Sequence, residues 1–121
     1  PASVGQPAIR VSVENSPVRL LAPDHPALKV PNAITAADFE GWVQERGLYF
    51  WSEFDARYQP LLGLRDPGEA ETTGGLVYAR YGQGVYLYTG LSFFRQLPEG
   101  VPGAYRLFVN LLSQSRALRG R

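Results

Sequence analysis

Residues whose types could do chemistry are few and sit in three places. Ser92 lies in Gly90-Leu91-Ser92-Phe93-Phe94, where an apolar run breaks toward a helix. A nucleophile elbow of the G-x-S-x-G type needs a second small residue so that its strained turn can pass close to its neighbours. Here Phe94 takes that place. The only histidine, His25, stands between Asp24 and Pro26. A catalytic Ser92–His25 pair therefore competes with a reading of His25 as a turn or capping residue. Glu53 and Asp55 form the second set, inside the aromatic frame YFWSEFDARY at 49–58. Paired carboxylates among aromatic rings suit a glycosidase or sugar-binding cleft, although Arg57 is placed to pair with Asp55. Asp66, Glu69 and Glu71 are the third, a polar cluster without the spacing of a calcium loop.

Other chemistries are limited by composition. With no Cys, disulfides, thiolate metal sites and a cysteine nucleophile are all excluded. One His leaves only carboxylates for a metal. YGQG at 81–84 has two glycines but no Lys-Ser/Thr and no helix start, so a tight hairpin turn accounts for it. The twelve basic residues are all Arg except Lys29, and they form no basic run, which argues against nucleic acid. No apolar run reaches membrane-spanning length, and no signal-peptide pattern opens the sequence. The sequence leaves the compartment open.

The elements that must position these residues fit one domain over 8–117, with 1–7 as a loose lead-in and 118–121 as a tail; 121 residues suffice for one core. AIRVSVE (8–14) alternates as a half-buried strand does, and VRLLA (18–22) reads as a second short strand. A helix is expected over 36–46. Thr35 and Asp38 form its capping box, Ile34 and Phe39 a staple, and Gly47 its left-handed stop. Asp66-Pro67-Gly68 should turn. GLVYARYG (75–82) and GVYLYTGL (84–91) predict a hairpin, the second strand covered on both faces because it is nearly devoid of polar residues. A final helix spans about 102–117, with Pro102 in its first turn and Tyr105, Phe108, Leu111 and Leu112 on its stripe.

Three strings, ITAADFEGWVQERGLYF (34–50), YARYGQGVYLYTGLSFFRQLP (78–98) and GVPGAYRLFVNLLS (100–113), carry a resemblance covering roughly residues 8–115. They resemble the C-terminal region of long bacterial LmbE-like (PIG-L type) N-acetylglucosaminyl deacetylase family proteins. The resemblance implies that a zinc deacetylase domain comes first and that this chain ends a class I glutamine-amidotransferase-like, flavodoxin-like domain. It also implies two absences. The His-Pro-Asp-Asp-Glu type zinc string has only an echo in PDHPAL (23–28), and the amidotransferase cysteine has no counterpart. Earlier strands of such a domain would then lie outside the chain, which accords with the lack of Met at position 1. An extracytoplasmic location is compatible with the family.

These readings converge on an α/β fold, a small sheet flanked by helices near 36–46 and 102–117, with a mainly antiparallel α+β fold as the alternative. The expected function is a non-catalytic accessory domain, scaffold or carbohydrate-side module, of an LmbE-like deacetylase. A self-associating module and a small hydrolase or glycan-active enzyme are the alternatives. Expected partners are the rest of a larger polypeptide or a second copy, with carbohydrate as candidate ligand, and no cofactor is implied. Trp42, Tyr49, Trp51, Glu53, Asp55 and Arg95 are the candidate ligand-binding residues.

Overall fold

A computed structural model describes residues 2–114, with side chains described from Ile9 onward. Helices and strands are mixed, and every strand pairing among the described residues is antiparallel, as in the α+β alternative. Strands β1 (Ala2–Val11) and β3 (Gly47–Phe54) pair along one side. Strand β2 (Val18–Leu20) pairs with β5 (Leu62–Leu64). Strand β4 (Gln59–Pro60) joins the hairpin of β6 (Leu76–Tyr81) and β7 (Gly84–Thr89). A short helix α1 (Phe93–Gln96) and a longer α2 (Pro102–Leu112) complete the order.

The hairpin forms as its sequence predicts. Gly82 opens the two-residue loop at φ 59° while Gln83 stays out of the positive-φ region, the pattern of a II′ turn. Asp66-Pro67-Gly68 also turns as expected, with Gly68 at φ 83° and the Glu69 N–H donating to Asp66 O at 3.0 Å. The final helix is present, and residues 115–117 of its expected span lie outside the described residues, as does the expected tail at 118–121. Ala104 and Leu107 carry α2 into the core, alongside Phe39, Phe50, Leu61, Leu62, Leu64 and Leu76, whereas Tyr105 and Leu112 of the expected stripe are exposed.

Three expectations are corrected. Residues 2–7, read as loose, belong to β1: Ala2 pairs with Phe54, Ser3 with Glu53 and Val4 with Trp51. Register shifts interrupt this pairing, so no simple alternation marks it in the sequence. The helix over 36–46 shrinks to one 3-10 turn, Ala36–Phe39, although its Thr35–Asp38 capping box forms. Glu40 is already extended, and Gly41 (φ 79°) and Gln44 (φ 66°) are left-handed. Side chains take the carbonyls that a continuing helix would need: the Trp42 indole donates to Asp38 O at 3.0 Å, and the Arg46 guanidinium donates to Phe39 O. Burial pushes the Arg46 guanidinium below its ordinary pKa, an effect that Glu14 opposes. Gly47 stops no helix but begins β3. Third, β7 is not covered on both faces, because its Tyr86 is 48% exposed.

Close packing around Phe50 explains several glycines. The ring is fully buried. A Cβ on Gly47 would lie 2.5 Å from it, on Gly75 2.9 Å and on Gly90 2.9 Å. The same Gly90 Cβ would also meet Leu48 O at 2.3 Å, a backbone atom that cannot swing away. Gly90→Ala should therefore cost about 1–3 kcal/mol through overpacking. Gly84→Ala meets nothing closer than Tyr81 O at 3.5 Å. It should change stability by less than about 0.5 kcal/mol. Urea melts of the two variants check the contrast, and equal losses would contradict it.

Asp66 ties the end of β1 to the loop beyond β5. Its carboxylate accepts from Ser12 N at 2.9 Å, Ser12 Oγ at 3.0 Å, Val13 N at 2.9 Å and Ser16 Oγ at 2.6 Å. Burial alone would raise its pKa, but these donors outweigh burial and hold it below the ordinary carboxylate value. A folded pKa below the unfolded one stabilises fully at neutral pH. That stabilisation fades as pH falls below about 4 toward the folded value. Asp66→Asn should thus be less stable than the parent at pH 7, with the gap in melting temperature narrowing toward about pH 3.

Candidate functional site

Ser92, weighed as a nucleophile and not chosen as a catalytic residue, is structural. Ser92 is fully buried; its hydroxyl donates to Glu45 O at 2.6 Å and accepts from Gln96 Nε2 at 2.9 Å. His25 belongs to another corner. Its Nδ1 accepts from Ala27 N at 3.0 Å, capping the 3-10 turn Pro26–Leu28, and its ring meets the Tyr78 ring edge-on at 4.2 Å. In the acidic loop Asp66 is held as above, while Glu71 pairs with Arg19 at 2.6 Å. No group of three potential metal ligands occurs among the described residues.

The candidate binding residues separate. Trp42 is buried between Phe39 and Phe93, with ring centroids 5.2 and 5.8 Å away, so it has no face to offer a ligand. Arg95 pairs with Glu45 at 2.6 Å and lies over the Phe94 ring at 4.9 Å. It lines a hollow of about 210 Å³ with Gln44, Pro98 and Glu99. Trp51, Tyr49, Glu53 and Asp55 remain together on β3 and the turn after it. The Arg57–Asp55 pair forms as expected, Nη2 to Oδ2 at 2.8 Å.

What the structure adds is an aromatic face. Antiparallel pairing sets Val77 opposite Tyr88 and Ala79 opposite Tyr86, so these four side chains share one face of the sheet. Tyr58 precedes the Gln59–Tyr78 pair and comes level with Ala79 from the other edge. Trp51 stacks on Tyr88 at 4.5 Å and meets Tyr58 edge-on at 5.2 Å, with Tyr86 6.4 Å away. Tyr58 and Tyr86 are 6.1 Å apart across the small Ala79. These separations suit favourable ring–ring packing. Tyr58, Tyr86 and Tyr88 were not among the sequence candidates. The signal for Tyr86 and Tyr88 was the alternation in VYLYT, which puts them on one face.

Backbone contacts aim Trp51 at this face. Its N–H donates to Gly74 O at 3.0 Å, and a Cβ on Gly74 would fall 1.9 Å from Trp51 O. Tyr49, 61% exposed, sits at φ 59° where β3 shifts register against β1. Its carbonyl accepts from the Tyr88 hydroxyl. Beside the face lies an open groove of about 730 Å³ between the 54–60 segment and Tyr78, Ala79 and Arg80 of β6. Tyr58 borders both face and groove.

No family model, curated protein or solved structure matches the chain.

Chemically the arrangement offers stacking rings, phenol hydroxyls and one ion pair beside an open groove. Because Ser92 Oγ is committed to two buried partners, Ser92→Ala should cost about 1–3 kcal/mol in stability. The folded parent should resist labelling by a fluorophosphonate serine probe; rapid stoichiometric labelling of Ser92 in the native protein would contradict the assignment.

Proposed function

We propose that this chain is a non-catalytic accessory domain of an LmbE-like deacetylase, and that its aromatic sheet face meets carbohydrate. The single observation carrying the carbohydrate part is the Trp51–Tyr58–Tyr86–Tyr88 cluster beside an open polar groove. Flat apolar rings take the C–H face of a pyranose, while phenol hydroxyls and groove polar groups meet its hydroxyls. The link to the deacetylase family, and to the end of an amidotransferase-like, flavodoxin-like domain, rests on the three quoted strings. The burial of Ser92 and the Asp55–Arg57 pairing support a module whose reactive residue types serve structure.

Titration with neutral trisaccharides (maltotriose, cellotriose, triacetylchitotriose) should perturb Trp51 fluorescence, since Trp42 is shielded in the core. Tyr86→Ala should weaken that binding about tenfold or more, as loss of an exposed aromatic anchor does. Failure of any saccharide to bind would sink the carbohydrate reading. Turnover of acetylated amino-sugars by the isolated chain would sink the non-catalytic one.

A further inference from the structure

We infer that the groove beside the aromatic face selects a saccharide bearing a carboxylate, with Arg80 as the group that recognises the anion. This rests on the carbohydrate reading and adds the class of sugar. Among the described residues, three charged ones line the groove, Asp55, Arg57 and Arg80. Two of them cancel. Asp55 Oδ1 accepts from Arg57 N at 2.9 Å and Nε at 3.2 Å, and Oδ2 accepts from Nη2 at 2.8 Å. These hydrogen bonds from Arg57 hold the Asp55 carboxyl well below the usual carboxylate range, so the pair stays ionised.

Arg80 is left as the uncompensated charge. It is exposed and has no hydrogen bond or ion pair among the described residues. Among the described residues the groove's formal balance is thus one negative against two positive side chains, a net of +1. A guanidinium is a planar fork of donors matched to a carboxylate, and it is weakly hydrated enough to exchange water for one.

Position completes the case. The pairing of β4 with β6 ends at Gln59–Tyr78, so the edge of β6 at Ala79 and Arg80 borders the groove instead of a strand. Tyr58, which lines face and groove alike, comes level with Ala79. Arg80 follows one residue on, so its side chain leaves β6 on the face opposite Ala79. What joins it to Tyr58 is the groove at this unpaired edge, which both residues line, so a saccharide running from the Tyr58 ring along the groove meets Arg80 at its wall.

The test is calorimetric titration of the whole chain with trigalacturonate and with its fully methyl-esterified, neutral counterpart at low salt. The acid should bind about tenfold tighter than the ester, and screening in about 1 M NaCl should erase most of that margin. In Arg80→Gln the acid-to-ester ratio should fall to near one, and Arg80 has no partner among the described residues whose loss would unfold the protein. In Tyr86→Ala both ligands should weaken together. Equal affinity for acid and ester, or a preference that survives Arg80→Gln, overturns the inference while leaving the carbohydrate reading intact. Binding of neither ligand, while the neutral trisaccharides do bind, overturns it as well. If none of the sugars binds, both readings fall.

Discussion

The Phe50 ring occupies space that side chains at positions 47, 75 and 90 would otherwise fill. That one exchange, an aromatic ring for three missing Cβ atoms, lets β3 approach the ends of the β6–β7 hairpin closely enough to hydrogen-bond. Leu48 N donates to Gly90 O at 2.9 Å and Trp51 N to Gly74 O at 3.0 Å. Without this approach β3 would pair only with β1, and Trp51 would not reach Tyr88. The interior close to Phe50 and the aromatic face outside it are therefore two sides of one packing arrangement. Interiors packed to crystalline density transmit such constraints over short distances.

Much of the architecture was legible because its signals are local. The β6–β7 hairpin announced itself through alternation and a glycine at its turn. The Asp66–Glu69 turn followed from Pro-Gly chemistry, and α2 from its apolar spacing, although the face it buries runs through Ala104, Leu107 and Asn110 and leaves Tyr105 and Leu112 exposed. Failures occurred where tertiary contacts overrode local preference. Residues 36–46 carry a good helix start, but Gly41 and the competition of the Trp42 and Arg46 side chains for helix carbonyls end it after one turn. Such competition cannot be read from periodicity, because a buried Trp and Arg have the same spacing either way. The β1–β3 register was hidden for a related reason, since bulges destroy the period of two that reveals a strand.

The candidate site was half visible. Aromatic and acidic residues around 49–58 drew attention to Trp51 and Asp55, which the structure sets on the aromatic face and in the groove wall, and the Asp55–Arg57 pair is where the sequence suggested. Trp42 and Arg95 belong elsewhere because each has a stronger local claim, on the Phe39–Phe93 core and on Glu45. Tyr58, Tyr86 and Tyr88 came into view only with strand pairing, which joins residues about 30 positions apart in sequence into one surface. Their contribution depends on Ala79, whose small side chain leaves the space between two phenol rings unfilled.

Gln96 has a part to play beyond holding Ser92. Its Oε1 accepts from Val43 N at 2.7 Å and its Nε2 donates to Val43 O at 2.9 Å. A single side-chain amide thus reproduces both bonds that a neighbouring strand would make to one residue. The 40–46 segment, which has no regular structure of its own, is fastened to the rest as if it were a rung of a ladder. In terms of amide exchange with solvent, Val43 belongs to the cooperative unit of the α1 corner rather than to a surface loop. Its proton becomes accessible only when that corner opens as a whole.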